Sequence, residues 1–271
     1  MKRVLRSIYG QYVGTVDDFR VMAQQGLITG PFGNQMPQGD TNNYVNFDDF
    51  DGAALLGTWG VLKGSDGGAA NFAINGGING TVLGTTGAGA GATMAVNGIQ
   101  ISGHLNLKAQ GAGGAGAPNN LEFNARIQMS AITTQVVFLG FTNQVAALQM
   151  PINGAGGGNG FTANAADAVG FLFDTTMTNA NWWAIGAKAS ALAAGQNSGF
   201  APVAATYEQF AISVDQLGNA TFFRNGLQVG VTMANAITPT VAVSPVVASF
   251  SRAAASRNVT LDYLMASMNR I

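Results

Sequence analysis

The chain is 271 residues long, with 12 Lys and Arg against 13 Asp and Glu, one His, no Cys and only 9% charged residues. A net charge of −1 excludes the basic face with which a nucleic-acid binder neutralises phosphates, and the missing cysteines exclude disulfides, thiolate nucleophiles and thiolate-held metals. Apolar residues at 47% suffice for one large sandwich or two ordinary domains; a surface this poor in charge, against about 25% in an ordinary soluble chain, is expected to be neutral, polar and partly covered by other chains.

Residues 1–45 read as an arm. Lys2, Arg3, Arg6 and Arg20 gather a third of the basic residues into the first twenty positions, which suits an acidic partner surface. The basic start is followed by Tyr9, Gly10, Gln11 and Asp17 rather than an apolar run, so no signal peptide is expected. Thr15-Val16-Asp17-Asp18 resembles a capping box, Phe19 and Met22 share a face, and Gly26 supplies a stop; one short helix near 16–25 is predicted, too short to stand without a partner. Pro31, Pro37 and the surrounding Gly, Asn and Gln then extend the arm.

From residue 46 onward the chain reads as strand after strand. Asp48, Asp49 and Asp51 put three carboxylates in four residues and could hold Ca²⁺, but they lack the spaced ligand series of an EF-hand, so a solvated turn is expected and no metal site. Between Gly64 and Pro118 the units Ala73-Ile74-Asn75-Gly76, Ile78-Asn79-Gly80 and Ala95-Val96-Asn97-Gly98 predict short hairpins, too irregularly spaced for a solenoid. His104 has no second His, Cys or acid beside it and reads as a strand residue. Gly111-Ala112-Gly113-Gly114-Ala115-Gly116 formally matches a dinucleotide fingerprint, yet Pro118 and a strand follow where a helix must begin, so no nucleotide cofactor is expected.

Leu121 to Ser130 alternates over ten residues, the pattern of an antiparallel strand with one wet face. Val136–Phe141 and Val169–Phe173 are continuous apolar runs, expected as better buried strands; no run of 18 apolar residues occurs, the best, Ala131–Ile152, being interrupted by Thr133, Thr134, Gln135, Thr142, Asn143 and Gln144. No membrane span is therefore expected. The loop Gly154–Gly160 cannot offset its ordering entropy alone and calls for neighbours. Trp182-Trp183 could form a sugar-stacking platform, but adjacent strand residues point to opposite faces, and packing in a core or between subunits outweighs that role.

Phe210, Ile212 and Val214 alternate into a turn at Leu217-Gly218-Asn219; Thr221–Arg224 then reaches Asn225-Gly226, a type I′ hairpin signal, before Leu227–Val231. Val259, Leu261, Tyr263 and Met265 give a last period-2 strand. Glutamate occurs only at 122 and 208, on different predicted strands. Glycoside hydrolysis needs two carboxyls a fixed few ångströms apart, and these two are expected to be exposed strand charges.

The run Asn120–Ser130, the double hairpin Tyr207–Val231 and the terminal strand from Val259 resemble the concanavalin A-like jelly rolls of the lectin, glucanase and laminin-G group. The resemblance rests on Ile212-Ser213-Val214-Asp215, Gly218, Phe222-Phe223 and Asn225-Gly226, and covers about residues 46–271. It implies an all-β antiparallel jelly-roll sandwich behind an N-terminal arm. The acidic triplet Glu-x-Asp-x-x-Glu of the group's glucanases is missing, and no lectin metal set can be matched. Tyr44–Phe50, Val137–Thr142, Ala168–Asp174 and Arg252–Tyr263 make the chain similar to structural proteins of tailed-bacteriophage virions.

That resemblance implies a protein that is no enzyme and has no cofactor: a capsid decoration or cement protein, located in the virion, in symmetric copies. Its partners would be the major capsid protein or other virion proteins, with no nucleic acid or membrane, met through Lys2, Arg3, Arg6, Phe19, Arg20 and Met22. The alternative is a tail-associated or receptor-binding module that takes carbohydrate on exposed aromatics such as Trp182 and Trp183.

Overall fold

A period of two in the side chains makes a strand with two distinct faces, and the two predominant patterns in this chain, alternating and continuously apolar, become two different sheets. The computed structural model describes residues 4–6, 12–15, 43–51, 54–55, 57–66, 71–75, 80–103, 106–110 and 119–270. In chain order the strands are β1 (Val4–Arg6), β2 (Tyr12–Thr15), β3 (Asn43–Asp48), β4 (Trp59–Lys63), β5 (Asn71–Ile74), β6 (Val82–Thr85), β7 (Ile99–Gly103), β8 (Asn119–Met129), β9 (Gln135–Thr142) and β10 (Ile152–Gly154). They continue as β11 (Phe161–Ala163), β12 (Ala168–Asp174), β13 (Trp183–Lys188), β14 (Ala191–Leu192), β15 (Gln196–Asn197), β16 (Tyr207–Val214), β17 (Ala220–Arg224), β18 (Leu227–Met233), β19 (Ser244–Ser251) and β20 (Asn258–Arg270). Helix is confined, among the described residues, to one turn at Met94–Asn97.

The first sheet runs β14-β13-β12-β9-β19-β7-β4, with β15 also on β13; the second runs β18-β17-β16-β8-β20-β6-β5, with β3 also on β20. Their facing sides meet in one core. Phe171 packs edge-on to Phe210 and Phe222 at 4.9 and 5.4 Å between ring centroids, and Trp182 to Phe210 at 4.6 Å, the offset geometry aromatic rings prefer. The expected antiparallel sandwich is therefore the observed fold.

The first sheet is buried on both faces, which is why β9 and β12 read as unbroken apolar runs. Its outer side carries Val136, Phe138, Leu172, Ile185, Val246 and Phe250, sealed by Met94 of the helical turn and by Met150, Ile152 and Ala165 of the chain leading through β10 and β11. Gly140 and Gly170 stand opposite each other in the middle of this sheet. A Cβ on Gly140 (φ 150°) would run into the Val169 carbonyl oxygen, and one on Gly170 would run into the Leu139 carbonyl oxygen and lie 2.6 Å from the Phe138 ring; both positions need glycine for the two strands to approach this closely.

Arg252 fastens the seal. It pairs with the Asp174 carboxylate, which is buried, and donates to the Gly154 carbonyl oxygen at 3.3 Å. The Gly154–Gly160 tip, expected to need neighbours, finds them within the chain: the Gly157 N–H donates to Thr176 O, the Thr178 N–H to Gly158 O, and the Asn179 N–H to the Asn159 side chain.

The sandwich begins at Asn43, since β3 pairs with β20 from Asn43↔Asn269 to Asp48↔Leu264, three residues before the start expected at residue 46. In the expected arm, β1 and β2 form a separate two-stranded pair that the sequence reading did not foresee. The helix expected near 16–25 lies outside the described residues. No helix of the described residues is long and apolar enough to cross a membrane.

Candidate functional site

With the first sheet sealed by its own chain, the broad open face among the described residues is the outer side of the second sheet. The alternation of β8 turns Leu121, Phe123, Ala125 and Ile127 into the core and leaves Glu122, Asn124, Arg126 and Gln128 on the wet side. Register then fixes their neighbours: Gln209 lies opposite Arg126, Ala211 opposite Asn124 and Ser213 opposite Glu122 on β16, with Phe223 opposite Ala211 on β17. On the other flank, a bulge between Leu261 and Tyr263 shifts the register of β20, so that Tyr263, Met265 and Ser267 face Arg126, Asn124 and Glu122. Phe47 and Val45 of β3 extend the face beyond Met265 and Ser267.

These side chains form a connected surface. Arg126 pairs with Asp262 at 2.7 Å, and its guanidinium carbon lies 4.6 Å from the centroid of the Tyr207 ring. The Tyr263 hydroxyl donates to Asn124 Oδ1 at 2.9 Å, and Gln209 Nε2 donates to the same oxygen at 3.3 Å. Tyr263 also stands 6.1 Å from Phe47, ring centre to ring centre. At one end the Ser213 hydroxyl donates to Glu122 at 2.7 Å, while partial burial pushes the Glu122 carboxyl above its ordinary range. Burial likewise raises the Tyr207 and Tyr263 phenols, so both are neutral donors at pH 7. Aromatic faces, amides and one shared cation suit binding by stacking and hydrogen bonds; no group of three His, Cys, Asp or Glu among the described residues could hold a metal.

The two glutamates do not lie together. Glu122 faces outward, whereas Glu208, opposite the core residue Ile127, faces inward and is buried, contrary to its expected exposure. There it pairs with Arg224 and accepts from the Trp182 indole at 3.0 Å. The phase of Glu208 with Phe210 and Ile212 on β16 was the signal for an inward carboxylate; what the sequence could not show is the arginine and indole that make the placement tolerable.

Trp182 and Trp183 point to opposite faces, as their adjacency requires, but both are buried. Trp182 packs in the core; Trp183 meets the Phe161 ring at 5.3 Å and donates to the Asn179 carbonyl oxygen. Both rings are therefore packed, and neither offers a free face for the sugar-stacking role weighed against packing. For Asp48 the expectation is corrected. It is no solvated turn residue but lies buried on β3, where desolvation raises its carboxyl, against the bond from the Phe50 N–H and with the like charge of Asp49. Lys2, Arg3, Phe19, Arg20 and Met22 lie outside the described residues, as do His104 and the Gly111–Gly116 loop; Arg6 ends β1.

No protein-family model matches this chain, and no curated protein matches it in sequence. Solved structures do. A prokaryotic β-1,3-1,4-glucanase (lichenase) from a mouse hindgut metagenome superposes with a TM-score of 0.53 at 10% identity, over 85% of this chain and 100% of that one. An endo-acting O-glycanase of the human gut microbiota gives 0.54 at 7% identity, over 81% and 97%, and peanut lectin 0.51 at 9%, over 85% and 99%. The fold is the concanavalin A-like jelly roll. These neighbours overturn the expectation that the chain is no enzyme, because the scaffold it adopts is one on which glycoside hydrolases are built. At such low identity the likeness fixes the fold alone.

Proposed function

We propose that this chain is a structural protein of a tailed-bacteriophage virion, a decoration protein that binds the shell. The observation that carries the reading is the open outer face of the second sheet, where Phe47, Tyr207, Phe223, Tyr263, Met265 and Arg126 are exposed or half-buried around a few amides. Tyr, Phe, Met and Arg are the residues enriched where proteins meet, and a broad sheet face suits a broad partner such as a shell lattice. The amino-terminal residues that precede β3, with Lys2, Arg3, Arg6, Phe19, Arg20 and Met22, supply the tether. Many symmetric copies, each adding modest area, hold by avidity. Immunogold labelling of purified particles with antibody to residues 43–271 tests this: regular labelling over the shell supports it, and particles without the chain overturn it. Deleting residues 1–42 should release a folded sandwich from the shell.

A second reading, a tail-associated carbohydrate-binding module, is favoured by the Phe47–Tyr263 ring pair standing beside the Asn124 and Gln209 amides. On a glycan array, retention that disappears in Tyr263→Ala would select this reading over the first.

A further inference from the structure

We infer that the edge of the sandwich made by β18 and residues 198–203 is a self-association surface on which a second copy of this chain docks. Six large apolar side chains are exposed among the described residues, and four belong to this edge: Phe200 at 54%, Val203 at 55%, and Leu227 and Val231 at 71% each. The fold links Leu227, Val231 and Phe200, and Val203 follows Phe200 in the same segment. Leu227 stands opposite Arg224 in register, and the Arg224 guanidinium carbon lies 5.0 Å from the Phe200 ring centroid. The Val231 N–H donates to Gln196 Oε1 at 2.9 Å, tying β18 to the chain that leads into Phe200 and Val203.

The exposed ring is held in place. The Trp182 N–H donates to the Phe200 carbonyl oxygen at 2.9 Å, the Phe200 N–H donates to Ser198 Oγ at 3.1 Å, and Arg224 beneath the ring is pinned by Glu208. An apolar group on a fixed backbone loses little further freedom on binding, so the exposure is ready for use.

Two features commit the surface to a second copy. β18, Leu-Gln-Val-Gly-Val-Thr-Met, has no charge and no proline, the residues with which edge strands usually repel partners, and the nearby Arg224 already spends its charge on Glu208. A patch without charge offers nothing for a charged partner to read, whereas it is complementary to itself, as the two sides of a two-fold contact must be. The area also fits. Four such side chains present on the order of 400 Å² per copy, so two copies with their polar rims bury about 1,000 Å², the lower bound of a specific interface. The β17–β18 bulge sets Gly230–Thr232 against Thr221 alone and so interrupts β18, and Gln196 already accepts from the Val231 N–H, so the contact is made by side chains rather than by strand addition.

This inference goes beyond the proposed function and does not depend on it. Sedimentation equilibrium of the full chain should show a monomer–dimer equilibrium with a dissociation constant in about the micromolar range, as befits a small interface. Leu227→Lys combined with Val231→Lys should be monomeric throughout while keeping its circular dichroism and melting temperature, since both side chains are exposed. The chain has no cysteine, so Leu227→Cys gives a unique thiol that a short bis-maleimide should cross-link into a covalent dimer. A wild-type chain that stays monomeric at high concentration overturns the inference, even if the same edge later proves to touch a shell. A double-lysine variant that still dimerises overturns it as well.

Discussion

The Trp182 indole nitrogen donates to the Glu208 carboxylate across the core, 3.0 Å away, and so joins the approach to β13 in the first sheet to β16 in the second. Arg224 completes the group from β17, and all three side chains are largely withdrawn from water. A buried pair of this kind contributes little over an apolar replacement, but breaking it strands a charge.

Glu208→Gln should therefore destabilise the fold by about 3 kcal/mol in urea denaturation, because Arg224 keeps its charge without a counterion. Trp182→Phe should cost less, about 1 to 2 kcal/mol, since one hydrogen bond is lost while Arg224 still pairs. Replacing Glu208 and Arg224 together by Met should recover most of the loss. If the double variant is no more stable than Glu208→Gln, the stranded charge is not the cause.

Gly140→Ala should cost at least about 3 kcal/mol or prevent folding, because its Cβ would meet the backbone of β12. Gly170→Ala would meet the Leu139 carbonyl oxygen as well as the Phe138 ring at 2.6 Å, so backbone opposes this substitution too. Phe138→Leu removes only the ring contact, so it should recover at most a small part of the melting temperature lost in Gly170→Ala and none of that lost in Gly140→Ala.

Arg252→Ala leaves the Asp174 carboxylate buried without its partner and removes the bond to Gly154. A loss of about 3 kcal/mol is expected, and hydrogen exchange should rise first in β10 and β11, which Arg252 fastens over the first sheet. Uniform acceleration across both sheets would show instead that the seal is part of the global unfolding unit.

The Asp48 carboxyl is raised above its unfolded value, chiefly by desolvation. A raised acid favours the protonated form in the folded state, so its contribution is fully present below the unfolded carboxylate range and is lost as pH climbs through the folded value. Asp48→Asn should therefore be more stable than wild type at pH 7, with the difference shrinking to nothing as pH falls through the carboxylate range. A difference that stays constant with pH would point to packing rather than charge.

The strands with one wet face could be read directly from the sequence. Leu121–Ser130 and Phe210–Val214 alternate because one side meets the core and the other water, and Asn225-Gly226 fixed the hairpin between β17 and β18. The period of two expected over Val259–Met265, by contrast, breaks at the bulge, which turns Tyr263 and Met265 to the wet face while Val259 and Leu261 stay in the core. β19 escaped notice, since Ser244–Ser251 is buried on both faces and so has no alternation to betray it, and it begins with a serine and a proline. The composition of the candidate face was legible in β8, but its assembly was not. Arg126 acquires Asp262 and Tyr263 only through the bulge in β20, and Phe47 reaches Tyr263 only because β3 pairs with the far end of the chain. Periodicity sets which side of a strand a residue occupies; it cannot set which strand lies next to it or whether an inward carboxylate finds a partner. Those decisions, on Glu208, on both tryptophans and on the sealed face of the first sheet, belong to contacts between residues far apart in sequence, which exist only once the sandwich has closed.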